Sequence, residues 1–162
     1  MSKTTKIILT VFSWLAVLVT MAVIARFSLQ NSNDSSSTSE ALLELIPFHD
    51  KMSQQALGII HTVIRKMAHF TIYALLGFTA FNAFHKSVAL KQGFVYLISV
   101  GAASSYAIVD EFVLQAISPG RAPMLLDVFI DTLGASLGAF LMLMIIGIIR
   151  FIIYVTEKIH RR

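Results

Sequence analysis

The stretch DVFIDTLGASLG, residues 127–138, decides the fold. It lies in an apolar run, residues 124–149, that is long enough to cross a bilayer as a helix, which takes roughly 20 residues. Four of its residues follow in steps of four, three and four: Asp127, Asp131, Gly134 and Gly138. One helix face therefore carries two carboxylates near its start and two glycines, which have no side chain, further along. Small residues at this spacing let membrane helices approach closely, so the stretch predicts a span packed tightly against a neighbour.

The composition of the whole chain agrees with a membrane protein. Hydrophobic residues make up 56% of the 162 residues, charged residues 14%, and the mean hydropathy is +0.76. These values exclude an ordinary soluble domain and leave room for about four spans in a single transmembrane domain, residues 1–162. The pI of about 9.6 does not predict nucleic-acid binding, because the basic residues are dispersed around apolar spans. The absence of cysteine excludes disulfides and thiolate chemistry.

The predicted fold is all-α and polytopic. Its four spans cover residues 7–27, 67–84, 94–114 and 124–149. The first span follows Lys3 and Lys6 and is longer than a signal-peptide core, which favours an uncleaved anchor; a weak cleavage pattern at Val23-Ile24-Ala25 keeps a signal peptide as the alternative.

A linker, residues 28–66, separates the first two spans. Its polar run, residues 31–40, cannot bury a core and is predicted to be solvated. Residues 41–48 and 53–64 place apolar side chains at roughly helical spacing, which predicts a short extracellular helical segment along the membrane surface.

The basic residues predict the orientation. The face that carries both termini would hold eight of the 13: Lys3, Lys6, Lys86, Lys91, Arg150, Lys158, Arg161 and Arg162. The opposite face would hold five: Arg26, Lys51, Arg65, Lys66 and Arg121. Because basic residues favour the cytoplasmic side, both termini are predicted to be cytoplasmic.

Polar residues gather at the opposite, outer ends of the last three spans. Lys66, His69 and Tyr73 share one stripe of the second span. The third span ends with Asp110, Glu111 and Gln115, and the fourth begins with Asp127 and Asp131. Ionisable groups are costly at membrane depth, so this group predicts a polar pocket that faces the outer leaflet.

Each part of the pocket leaves alternatives open. The carboxylates could pair with Lys66, Arg121 and His69 in a structural network, or they could serve a ligand or a reaction. His69 could be a structural hydrogen-bonding residue, a proton carrier or a metal ligand. The first two are favoured, because no His-x-x-His pattern is present, although His69 could compose a metal site with carboxylates from other helices. Arg121 is either an exposed loop charge or a bidentate grip for phosphate or carboxylate. Crowded carboxylates should not all ionise, so one of them could hold a proton at neutral pH.

Five ordered motifs carry a resemblance to a known family: Phe27-Ser28-Leu29-Gln30, Arg65-Lys66-Met67-Ala68-His69-Phe70 with Tyr73 and Leu76, Asp110-Glu111 with Gln115, Pro119-Gly120-Arg121, and Asp127 with Gly134 and Gly138. Together they resemble the signature of the VanZ family of bacterial membrane proteins, over nearly the whole chain. The family pattern usually has Asn at the position of Asp131. The resemblance implies a protein of the cell envelope, in a family named for resistance to the glycopeptide teicoplanin, and it implies no settled reaction.

Two functions follow as hypotheses. In the first, the pocket binds or processes an anionic membrane lipid or a lipid-linked envelope precursor. Catalytic roles then fall to His69, Asp110, Glu111 and Asp127, and ligand-binding roles to Lys66, Arg65, Tyr73, Gln115, Arg121 and Asp131. In the second, the protein is not catalytic, and it binds a lipid, a glycopeptide or an envelope protein while the same residues hold the helices together. Neither hypothesis includes a metal or another cofactor.

The predicted orientation can be tested by thiol labelling, because the chain has no native cysteine. Ser36→Cys should react with an impermeant thiol reagent in intact cells, and Ser87→Cys should react only after the membrane is opened. The opposite pattern would place the polar pocket on the cytoplasmic side.

Overall fold

The computed structural model of the protein describes residues 2–29, 53–118 and 122–161, and four long helices make up most of these residues. Helix α1 is Lys3–Ser28, α2 is Gln54–Ser87, α3 is Gln92–Val109 and α4 is Leu125–His160. Helix α3 continues into a π-helix, Asp110–Gln115, called the π segment below. Each of the four helices, with α3 taken together with the π segment, is long and apolar enough to span a membrane. With no strand among the described residues, the predicted all-α, four-span architecture is confirmed.

Helix α2 begins earlier than the sequence predicts. Residues 53–64, predicted as a surface segment, and the second span form one helix of 34 residues. Its start is set by Ser53, whose side chain accepts a hydrogen bond from the Ala56 N–H at 3.3 Å. No proline interrupts the helix after that cap, so nothing forces a break before the apolar span. The polar run and the segment at 41–48 lie outside the described residues.

Helices α2 and α4 are in direct backbone contact. A Cβ atom added to Gly138 would overlap the carbonyl oxygen of Ala74, and one added to Gly134 would overlap that of Phe70. The contact is reciprocal, because a Cβ atom on Gly77 of α2 would overlap the carbonyl oxygen of Ala135. The close approach predicted from the small-residue spacing of α4 is therefore confirmed.

Helix α1 packs antiparallel to α2. Near one end of the bundle, the Trp14 indole N–H donates to the hydroxyl of Ser87 at 2.9 Å. Near the other end, the hydroxyl of Ser118 donates to the carbonyl oxygen of Ser28 at 2.9 Å. The end of α1 therefore lies beside the π segment and the connection to α4.

The glycine contact generates a stability prediction. Gly138→Ala should lower the free energy of unfolding by about 1–3 kcal/mol, because backbone atoms of α2 cannot rotate away from the new methyl group. Gly147→Ala is the matched control in the same helix, because a Cβ atom there meets nothing within 4 Å. Thermal unfolding in detergent measures both variants. Equal stability of the two would contradict the proposed backbone contact.

Candidate functional site

The polar side chains predicted from the sequence meet where α2, α4 and the π segment converge. We call this group the polar cluster; its members are Lys66, His69, Tyr73, Asp110, Glu111, Gln115, Asp127 and Asp131. Asp110, Glu111 and Asp131 have no solvent-exposed surface, and Asp127 is 6% exposed. Buried carboxylates are rare unless they are paired or functional, so the partners of each one decide what the cluster can do.

The π segment supplies three members of the cluster. Asp110, Glu111 and Gln115 are all buried within its six residues. A π-helical turn holds more residues than an α-helical turn, which changes the direction of the side chains at the end of α3. Short π-helical interruptions are uncommon and occur frequently at functional sites. This local geometry brings two adjacent carboxylates into the same protein interior.

Lys66 and Asp127 form an ion pair between α2 and α4. The Lys66 ammonium donates to Oδ1 of Asp127, and the side chains are 28% and 8% exposed. Asp127 stands in the first turn of α4, where a negative charge also interacts favourably with the helix dipole. The charge of Asp127 is therefore satisfied within the protein.

Glu111 is also fully satisfied. Its Oε1 accepts a hydrogen bond from the Met124 backbone N–H at 2.7 Å, and its Oε2 accepts one from the Gln115 amide. Met124 is the N-cap residue of α4, so the Glu111 carboxylate satisfies one of the N–H groups left free at the helix start. Glu111 therefore attaches the π segment to the beginning of α4.

Asp131 and His69 are close together without a hydrogen bond. Oδ1 of Asp131 lies 3.5 Å from Nδ1 of the His69 ring, beyond the usual range of an N–H···O bond. Within the described part of the chain, neither oxygen of Asp131 accepts a hydrogen bond. The contact is an electrostatic one when the imidazole is protonated.

Asp110 is the second buried carboxylate without a hydrogen bond. It faces the side chains of Ser28, Tyr73 and Gln115, yet neither of its oxygens accepts a well-formed bond among the described residues. The Tyr73 hydroxyl is likewise buried and unpartnered there. Among the described residues, the four buried carboxylates thus divide into two that accept hydrogen bonds from protein groups, Glu111 and Asp127, and two that accept none, Asp110 and Asp131.

The two unpartnered carboxylates share one location with the histidine. One ligand atom each from His69, Asp110 and Asp131 can be chosen so that all three lie within 4.8 Å of one another. An imidazole nitrogen and two carboxylate oxygens can exchange protons, hold a cationic group or coordinate a metal ion. The site is chemically competent for each of these tasks.

Two predicted residues lie outside this arrangement. Arg65 is half-buried beside Lys66 on α2 and forms no ion pair with a described side chain. Arg121 falls in the gap at 119–121, outside the described residues, so its anion-binding role stays a prediction.

The sequence interpretation missed two contributors to the site, the Met124 N–H and Ser28. The proline at position 123 could have indicated that the next backbone N–H begins a helix and needs an acceptor. No pattern in the sequence indicates that Ser28 approaches Asp110.

The ion pair predicts a measurable coupling between α2 and α4. Lys66→Met should lower the free energy of unfolding by about 1–3 kcal/mol, between the values for exposed and fully buried pairs, because it leaves the Asp127 carboxylate unpaired. Combining it with Asp127→Asn should recover part of that loss. A double-mutant cycle of unfolding in detergent gives the coupling energy, and additive effects would contradict the pairing.

Comparison with known proteins identifies the family of the chain. No curated protein and no solved structure matches it. A family model described as VanZ/LLP1 matches residues 12–149, which run from within α1 to more than halfway along α4 and include the whole polar cluster. The chain therefore belongs to the VanZ/LLP1 family.

Proposed function

We propose that this VanZ-like protein of the bacterial cell envelope binds or processes an anionic envelope lipid, or a lipid-linked wall precursor, at the polar cluster. The observation that carries the proposal is the pair of fully buried carboxylates, Asp110 and Asp131, that lie beside His69 and accept no hydrogen bond among the described residues. Buried polar groups in native proteins are nearly always hydrogen-bonded, and the exceptions concentrate at functional sites. In a membrane span, ionisable residues of this kind mark substrate and proton pathways.

The roles within the site follow from exposure and pairing. Lys66 is the more accessible member of its ion pair, so its ammonium is suited to meet an anionic head group at the edge of the cluster. Arg121, just before α4, would add a bidentate grip on the same phosphate. His69, Asp110 and Asp131 would take up and release protons deeper in the site, and Glu111 and Asp127 would orient it.

The location of the site supports a lipid as the ligand. The cluster lies at the end of the bundle where α4 begins, and the outer surface of that end is apolar, with Leu125 75% and Ile117 69% exposed. A lipid can lie against such a surface while its head group reaches the polar interior. We assign this end to the outer leaflet on the distribution of basic residues, and a contribution to teicoplanin resistance follows as part of the same proposal.

A second function is favoured by the members of the polar cluster that have hydrogen-bond partners. The Lys66–Asp127 pair and the Glu111–Met124 bond connect α2, the π segment and α4, as a purely structural network would. In that case the protein is not catalytic, and it binds a lipid, a glycopeptide or an envelope-protein partner through its surface.

The two functions are distinguished by His69→Ala. If the cluster handles a lipid, this variant should lose the effect of the protein on the cellular lipids while its folded amount stays unchanged, because His69 belongs to the unsatisfied half of the site. Comparative lipidomics of membranes with the parent, the variant or no protein is the measurement, with teicoplanin susceptibility recorded in parallel.

The matched control is His85→Ala. His85 lies on the same helix but stacks on Phe81, away from the cluster. A lipid profile identical with and without the parent protein would refute lipid processing. A change that survives His69→Ala would remove the cluster from the function.

A further inference from the structure

We propose that His69, Asp110 and Asp131 form a binding site for one divalent transition-metal ion of the Zn²⁺ or Mn²⁺ class. The three residues come from α2, the π segment and α4, so the site exists only in the folded bundle. The inference does not rest on lipid handling, because it concerns only what these three side chains can coordinate.

The spacing of the donors suits coordination better than hydrogen bonding. The distance of 3.5 Å between His69 Nδ1 and Asp131 Oδ1 is too long for a hydrogen bond. Two ligands at about 2.1 Å from one tetrahedral ion are separated by about 3.4 Å, which is close to that distance. With Asp110 included, the donor atoms lie within 4.8 Å of one another, so small side-chain rotations suffice to close the set.

Hydrogen bonding distinguishes Asp110 and Asp131 from the other carboxylates of the polar cluster. Glu111 and Asp127 accept hydrogen bonds from protein groups, whereas none of the four oxygens of Asp110 and Asp131 accepts one among the described residues. Both unsatisfied carboxylates are 0% exposed, so solvent does not replace the missing partners. An ion bound between them would satisfy both, together with the unpartnered Nδ1 of His69.

The charges favour a divalent cation. The only lysine in the cluster is already paired with Asp127, which leaves three carboxylates without a lysine partner, and of these only Glu111 accepts hydrogen bonds among the described residues. A 2+ ion would neutralise two ionised carboxylates in an environment where uncompensated charge is costly. One nitrogen and two oxygen donors suit Zn²⁺ or Mn²⁺ better than Ca²⁺, which prefers six to eight oxygens.

The Tyr73 hydroxyl gives the site a further polar group. It is buried and unpartnered, and it lies close enough to Asp110 and Asp131 to interact electrostatically with both carboxylates. Three protein donors leave a coordination position open, which is typical of catalytic sites and not of structural ones. Tyr73 is therefore placed to donate a hydrogen bond to a carboxylate ligand or to a molecule at the open position.

The test is metal binding by the full chain in detergent. Purified protein is stripped with a chelator, dialysed against Zn²⁺ or Mn²⁺, and assayed for bound metal by elemental analysis and for its unfolding temperature. The parent should bind one ion per chain and unfold at a higher temperature with the ion present. His69→Ala and the isosteric Asp131→Asn should each lower the affinity by about 100-fold or more, since even the groups that only orient ligands contribute 10–100-fold.

Two control variants remove side chains of the same chemical types at positions outside the proposed metal site. His85→Ala and Glu157→Gln should keep the stoichiometry of one, because both residues lie outside the polar cluster and neither belongs to the donor set. No bound ion in the parent overturns the proposal, and so does affinity that survives both His69→Ala and Asp131→Asn.

A second variant covers the case in which His69→Ala does not fold. His69→Cys keeps a metal-binding side chain, and it introduces the only sulfur in the chain that can bind as a thiolate. Loading it with Co²⁺ should produce a thiolate-to-cobalt absorption band that the Co²⁺-loaded parent lacks. Folded His69→Cys that binds Co²⁺ without this band would show that position 69 is not a ligand and would overturn the proposal.

Discussion

Backbone contact between α2 and α4 is the constraint on which the rest of the structure depends. In a membrane, helices gain little from the hydrophobic effect on association, so close packing and polar contacts must hold them together. Gly134 and Gly138 of α4 and Gly77 of α2 remove the side chains that would keep the two axes apart. Only at this separation can the short side chain of Asp131 approach His69 on the facing helix. The glycines therefore determine the geometry of the site as well as the stability of the bundle.

The two carboxylates that accept hydrogen bonds hold the other two, Asp110 and Asp131, in position. Asp127 pairs with Lys66, which fixes the register of α4 against α2, and Glu111 accepts from the Met124 N–H, which fixes the π segment against α4. With these three elements attached to one another, the backbone positions of Asp110 and Asp131 are held close together. A binding site benefits from this rigidity, because its protein side chains are already in position before a bound molecule or ion arrives.

The sequence predicted much of this arrangement, for identifiable reasons. Hydropathy indicates which residues span the membrane, so the four spans could be inferred. Helical periodicity indicates which residues share one face of a helix, so the common face of Lys66, His69 and Tyr73 could be inferred as well. The Gly134 and Gly138 spacing likewise predicted the close approach of α4 to a neighbour. These properties are encoded locally, within one or two turns of a single helix.

What could not be predicted depends on contacts between elements. The true start of α2 depends on the Ser53 cap, a signal that short polar residues provide at many positions where no helix begins. The π segment has no sequence signature, yet it decides that Asp110, Glu111 and Gln115 all point inward. Above all, pattern analysis treated the carboxylates as one acidic group. Their division into paired and unpartnered members emerges only when three helices are placed together.

This division also explains why metal coordination ranked low for His69 on sequence alone. Familiar metal motifs place two ligands on one helix or loop, and this chain has none. A site assembled from one residue on each of three helices leaves no local pattern, although it is as well defined in the folded bundle as a contiguous motif. The same assembly makes the site sensitive to helix packing. A change at Gly138, which has no donor atom of its own, would therefore move Asp131 relative to His69.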